Sequence, residues 1–195
     1  SAYYGRNTSD GDHSVSPPTR GMRFWLFPFF YRNSMTRSSV YIETYGCQMN
    51  KLDSENVSAV LRGAGYVMVE DMREADVILL NTCGVRENAE NRIHGRIGEL
   101  SSLRKERPDL VFGVIGCMAQ RLGSSLISDT VKIVAGPDSY RRLPYLIRAE
   151  GKRGAIDVDL DTAETYADIE PDRESPFSAW VAVTRGCDNF CSYCI

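Results

Sequence analysis

No stretch of the 195-residue chain approaches the roughly 20 consecutive apolar residues that a membrane-spanning helix needs, so a soluble protein with no bilayer partner is expected. Charge of one sign is scarce as well: the net value is −3, which argues against gripping nucleic acid by bulk positive charge. Nothing reads as a secretory signal with a small-residue cleavage site, so the six cysteines are expected as thiolate ligands in a reducing compartment and not as three disulfides. The most telling absence is a fourth cysteine. The thiols fall into two sets of three, Cys47, Cys83 and Cys117, and Cys187, Cys191 and Cys194. A structural zinc site is closed by four ligands, whereas a cubane iron–sulfur cluster held by three thiolates keeps one iron open.

At 43% hydrophobic, the chain is long enough for one globular domain plus appendages and short for two. Residues 1–37 carry five arginines against two aspartates among Ser, Pro and Gly, and are expected as a disordered tail. Their apolar segment, 24–31, is interrupted by Pro28. It reads either as part of an Arg-rich organelle-targeting segment or, preferably, as a non-native extension, Met35 being itself a candidate start.

From residue 38 to 150 the pattern becomes strand, helix, strand, helix. Val40-Tyr41-Ile42-Glu43-Thr44-Tyr45 is β-branched and aromatic and ends in Gly46-Cys47. A helix follows with Val57, Val60, Leu61 and Ala64 at helical spacing. The apolar run Val77-Ile78-Leu79-Leu80 passes through Asn81-Thr82 into Cys83-Gly84, and a second helix sets Ala89, Ile93, Ile97 and Leu100 on one face. A strand over 110–115 delivers Gly116-Cys117; a short helix from about Ala119, a strand over 132–135 and a helical segment over 138–149 complete the unit. This rhythm predicts an α/β, Rossmann-like open parallel sheet with helices on both faces. Residues 151–176 read as an acidic linker with one short strand near 155–158 and a solvated surface. Residues 177–195 begin a further domain, with 179–183 expected as a buried strand feeding the loop Arg185-Gly186-Cys187-Asp188-Asn189-Phe190-Cys191-Ser192-Tyr193-Cys194.

The first three cysteines are spaced by 36 and 34 residues, each just past the C-terminal end of an expected strand. Parallel strands carry those ends to one edge, the edge where open α/β sheets bind ligands. Taken singly, each reads as a buried free cysteine; their common register points to a second open cluster site. For the C-x3-C-x2-C set, one tight loop can wrap three corners of a cube; the rival is half of a zinc site with its fourth ligand beyond Ile195.

That loop resembles the radical S-adenosylmethionine (SAM) signature, in which the open iron chelates SAM and an aromatic, here Tyr193, precedes the last thiol. With Glu43-Thr44-Tyr45-Gly46-Cys47-Gln48-Met49-Asn50, with 75–83 followed by Val85-Arg86-Glu87, and with Gly116-Cys117-Met118-Ala119-Gln120-Arg121, the chain resembles the N-terminal part of the MiaB-type tRNA methylthiotransferases. The resemblance implies an auxiliary 4Fe-4S cluster on Cys47, Cys83 and Cys117 and a SAM-binding 4Fe-4S cluster on Cys187, Cys191 and Cys194. It implies a radical sulfur insertion that converts N6-isopentenyladenosine beside the tRNA anticodon to its 2-methylthio derivative, with Gln48-Met49-Asn50 indicating that branch over sister families acting on threonylcarbamoyladenosine or a ribosomal protein. Implied partners are tRNA, through a C-terminal RNA-binding region, and an electron donor such as flavodoxin or ferredoxin. A monomer is expected, cytoplasmic, or organellar (mitochondrion or plastid) if the tail is a genuine transit segment. Since only the first strand and cluster loop of a radical-SAM barrel are present, this polypeptide alone is expected not to turn over; the alternative is a non-catalytic iron–sulfur-binding fragment.

Other polar residues near the motifs carry open readings. Asn50 either orders the loop beside Cys47 or caps the following helix. Gln48 either faces the cluster or caps the loop. Arg86 and Glu87 read as a solvated helix start, His94 as exposed, and Arg185 as either a cluster neighbour or a surface ion pair.

Overall fold

The computed structural model describes residues 38–84, 87–149, 154–173, 175–184 and 191–192, without the side chains of 87–91. The expectations for 1–37, Arg86, the Glu87 side chain, Arg185, Cys187, Tyr193 and Cys194 lie outside these residues.

Six strands form one parallel sheet: β1 (Ser39–Tyr45), β2 (Val67–Met68), β3 (Val77–Thr82), β4 (Val111–Gly116), β5 (Ile133–Ala135) and β6 (Ala155–Asp157). Their spatial order is β2-β1-β3-β4-β5-β6. Four helices connect them: α1 (Gln48–Gly63), α2 (Glu87–Glu106), α3 (Cys117–Leu122) and α4 (Leu143–Ala149). Every residue of β3 is buried, because it lies between β1 and β4 and both its faces are covered; this is why its sequence is an apolar run and not an alternation.

Successive strand residues point to opposite faces and so divide the core in two. Val57 and Leu61 of α1 and Leu143, Leu146 and Ile147 of α4 pack with Val40, Val77, Leu79, Ile115 and Ile133. On the other face Ile93 and Leu100 of α2 and Met118 and Ala119 of α3 pack with Ile78, Leu80, Phe112 and Val114. The chain winds outward from β1 to β2, then returns across β1 to β3 and continues through β6. The winding direction reverses between β1 and β3, and in open α/β sheets the carboxyl ends at such a point form the crevice where ligands bind.

Four features depart from the sequence expectation, the last being the stretch beyond β6. Strand β2 is only two residues long and sits on the sheet edge, too short to leave a period-2 pattern. The sheet runs past the expected boundary at 150, since β6 pairs with β5 as its sixth strand. The segment 179–183 is irregular: Trp180 is 44% exposed, Val181 73% and Val183 93%, where a buried strand was expected. A strand exists only through hydrogen bonds to a neighbour, and none of the described residues pairs with this segment.

The acidic stretch beyond β6 returns to the α/β unit as a strap and is not simply a solvated surface. Tyr166, 3% exposed, stacks on Tyr140 with ring centroids 5.7 Å apart, accepts the Tyr140 N–H at 3.0 Å and donates to the Pro137 carbonyl at 2.7 Å. Arg141 lies 5.3 Å over the Tyr166 ring and pairs with Glu164 (2.7 Å) and with Asp168. Farther along, the Asp172 N–H reaches the Glu55 carbonyl at 3.1 Å and its carboxylate meets Arg62 at 2.6 Å. The strap thus meets an α1 whose first half is polar yet buried, with Asn50, Asp53, Ser54, Glu55 and Asn56 all enclosed.

Candidate metal centre

Register fixes the three N-terminal thiols. Tyr45 pairs with Thr82 and Thr82 with Gly116, so β1, β3 and β4 end level with one another at the crevice edge. Cys83 follows Thr82 directly, Cys117 follows Gly116 directly, and Cys47 follows Tyr45 after one intervening glycine. The shared edge expected from their spacing is therefore present.

Close backbone approach brings the three loops together. Gly46 has φ +155°, and a Cβ there would overlap the Asn50 amide and lie 2.9 Å from the Cβ of Cys83. Gly116 has φ +96°, and its Cβ would lie 2.6 Å from the Thr82 carbonyl oxygen. Both positions demand a residue without a side chain. A Cβ on Gly84 would stand 3.2 Å from the Cys117 backbone.

Cys83 is buried at 4% exposure, Cys47 is half-buried and Cys117 is exposed. Although the Cys117 residue opens to solvent, protein crowds its sulfur: burial pushes the thiol above its ordinary value, and the charges of Asp53, Cys83 and Cys47 push the same way, while a hydrogen bond from the Gly84 backbone opposes them. The Cys117 sulfur thus lies within electrostatic reach of Cys47 and Cys83. Soft sulfur donors suit iron–sulfur clusters or zinc and not hard cations. Among the described residues, no three His, Cys, Asp or Glu side chains gather closely enough to hold one metal ion. A cubane distributes its thiolates over separate irons, a looser requirement that three loops at one edge can meet.

Beneath the thiols lies a polar layer. Asn50, 1% exposed, accepts the Cys47 N–H at 3.1 Å and donates to Asn81 at 3.1 Å and the Thr82 carbonyl at 3.3 Å. Asn81, fully buried, donates to the Asn50 carbonyl and to Ser54, each at 2.8 Å, and Ser54 shares a 2.7 Å hydrogen bond with Thr44. Asp53, 3% exposed, accepts from the Tyr140 hydroxyl at 3.1 Å. Of the two readings open for Asn50 the structure gives both in part: it orders the Cys47 loop from the third position of α1, while Cys47 itself is the capping residue. Gln48 and His94 are exposed. From the C-terminal set only Cys191 is among the described residues, half-buried in irregular chain.

The profile of the uncharacterized protein family UPF0004 matches residues 39–136, from β1 to just past β5, all three sheet-edge cysteines included. The chain belongs to this family. Against curated proteins, this UPF0004 chain is 51% identical over 162 residues to the tRNA-2-methylthio-N(6)-dimethylallyladenosine synthase of Chloroherpeton thalassium, covering 82% of the chain and 36% of that protein. It is 50% identical over 163 residues to the protein of the same name from Porphyromonas gingivalis and 48% identical over 160 residues to that of Bacteroides thetaiotaomicron, covering in each case 80% of the chain and 35% of the relative. The UPF0004 chain thus spans about a third of the length of the curated relatives it matches.

Proposed function

We propose that this chain is part of a radical-SAM tRNA methylthiotransferase that installs a 2-methylthio group on N6-isopentenyladenosine (dimethylallyladenosine) beside the anticodon. The observation that carries the reading is the arrival of Cys47, Cys83 and Cys117 at one sheet edge through the level ends of β1, β3 and β4. The relatives named for that product support the substrate.

In this reading Cys47, Cys83 and Cys117 hold an auxiliary 4Fe-4S cluster, and Cys187, Cys191 and Cys194 hold the 4Fe-4S cluster that takes SAM, with Tyr193 beside it. When bound, the clusters supply an electron for SAM cleavage and an open iron at which sulfur can be presented; the organic chemistry belongs to the cofactors. The chain's own residues divide the remaining work. Cys83, buried, anchors the site to the central strand, and Cys117 keeps the solvent side open. The Gly84 backbone hydrogen-bonds the Cys117 sulfur, and Asp53, held by Tyr140, sets negative charge behind it. Partners in this reading are tRNA and a low-potential electron donor such as flavodoxin or ferredoxin, in the cytoplasm, with the protein monomeric.

Anaerobic reconstitution of the full-length protein with iron and sulfide tests it. About eight irons per chain and an EPR signal altered by SAM are expected, and Cys47→Ala should remove about four irons while the SAM-sensitive signal persists. Zinc at either thiol set, or an iron count indifferent to Cys47→Ala, defeats the proposal.

A further inference from the structure

Two amides, Asn50 and Asn81, join the loop of Cys47 to the strand that ends at Cys83. Each is at most 1% exposed, and neither belongs to the thiol set. The orientation of both side chains is dictated by main-chain groups whose polarity cannot change. The Cys47 N–H requires the oxygen of Asn50, the Thr82 carbonyl requires its NH2, and the Asn50 carbonyl requires the NH2 of Asn81. Asn50 then donates to Asn81 at 3.1 Å, closing a reciprocal clasp across 31 residues of sequence. The Asn50 oxygen also faces the Cys47 sulfur at 3.6 Å.

We propose that Asn50 and Asn81 are positioning residues for the metal centre: their clasp holds Cys47 at a fixed distance from Cys83, so that the thiols are set before iron arrives. The proposal rests on the cluster assignment of the preceding section. Its physical basis is preorganisation. A loop that must be ordered on binding loses affinity by the entropy of ordering, and a buried, fully satisfied amide pair removes that cost beforehand. Outer partners that orient a ligand commonly change metal affinity 10- to 100-fold when removed.

The ordinary alternative is that Asn50 merely starts a helix. Aspartate separates the two, because at the third position of a helix it accepts the same N–H and suits the positive end of the helix dipole, but it cannot donate to Asn81 or to Thr82. The test uses the full chain carrying Cys187→Ala, Cys191→Ala and Cys194→Ala, so that only the sheet-edge site can load. Iron and sulfide are supplied anaerobically, and three quantities are read: iron per chain, the rate of iron loss to a chelator, and the EPR spectrum of the reduced cluster. Asn50→Ala is expected to speed iron loss by about tenfold or more and shift the spectrum. Asn81→Ala, which leaves the Asn50 oxygen beside the Cys47 sulfur, should do the same, and the double variant should add little to either alone. Asn50→Asp keeps an acceptor for the Cys47 N–H but turns a carboxylate oxygen toward the Thr82 carbonyl and the Asn81 oxygen, so it should not restore iron retention. Full rescue of retention by Asn50→Asp, or parental loss rates and spectra in Asn50→Ala, overturns the clasp. Failure of the parent to hold iron at all instead refutes the cluster assignment on which it stands.

Discussion

Gly116→Ala puts the geometry of the crevice edge under direct test. Gly116 ends β4 with φ +96°, a conformation that costs a residue with a side chain about 1–3 kcal/mol. The added methyl would also stand 2.6 Å from the carbonyl oxygen and 3.1 Å from the amide nitrogen of Thr82, main-chain atoms of the adjacent buried strand. Neither β3 nor β4 can yield easily, since both are central and paired on each side, so overpacking of about 1–3 kcal/mol adds to the strain. The sum, about 2–6 kcal/mol, is a large share of the 5–15 kcal/mol typical of a domain. Urea unfolding followed by far-ultraviolet circular dichroism measures it: the midpoint should fall with the slope unchanged. Gly63→Ala in the last turn of α1 is the control, because nothing lies within 4 Å of its Cβ and the change should be neutral or stabilising by up to about 1 kcal/mol. A loss below about 1 kcal/mol in Gly116→Ala would refute the claim that the level strand ends leave no room for a side chain.

Two other substitutions probe the layer behind the thiols and the strap. Tyr140→Phe removes the hydroxyl that meets buried Asp53 and should cost about 1–3 kcal/mol in the same unfolding assay; a neutral result would mean that Asp53 does not depend on it. Arg141→Ala takes away the exposed pairings with Glu164 and Asp168 and the contact over Tyr166, for a loss of about 1 kcal/mol that shrinks in high salt. The hydrogen bond from Arg141 holds the Asp168 carboxyl below the usual aspartate range. A lowered folded value means that this pairing contributes above the ordinary aspartate pKa and is lost as pH falls through the folded one, so Arg141→Ala should flatten the acid limb of the stability profile. An unchanged acid limb would contradict that assignment.

Much of the fold is legible in the chain because its central strands are buried on both faces: the run from Val77 to Leu80 and the apolar residues before Gly116 announce β3 and β4, and regular spacing places Cys47, Cys83 and Cys117 past the ends of β1, β3 and β4. Two-residue β2 leaves no pattern; the short strand expected near 155–158 is present as β6, but its pairing with β5 is not legible among acidic residues whose arginine partners lie upstream: Asp157 meets Arg142, and Glu164 meets Arg141. Hydrophobic periodicity is silent on the polar start of α1, where Ser54 is buried against Asn81 and Thr44, Asp53 meets Tyr140, and the Glu55 carbonyl takes the Asp172 N–H of the strap. For 179–183 the composition is that of a strand, but composition supplies no neighbour to pair with. Asn81 offered a signal that apolar pattern alone passes over: an amide closing a continuous apolar strand must find partners for its polar atoms, and Asn50 and Ser54 in the first turns of α1 supply them.

The level endings of β1, β3 and β4 impose an order of events on biogenesis. Their pairings join parts of the polypeptide more than 30 residues apart, so the sheet-edge thiols have no fixed mutual positions until the ribosome has emitted residue 117 and β4 has docked. Thiols in the C-x3-C-x2-C loop are neighbours along the backbone and need no such wait. If iron is the occupant, early delivery to the nascent chain would therefore meet unassembled sulfurs at Cys47 and Cys83, and loading of the sheet edge would be a late, post-folding step.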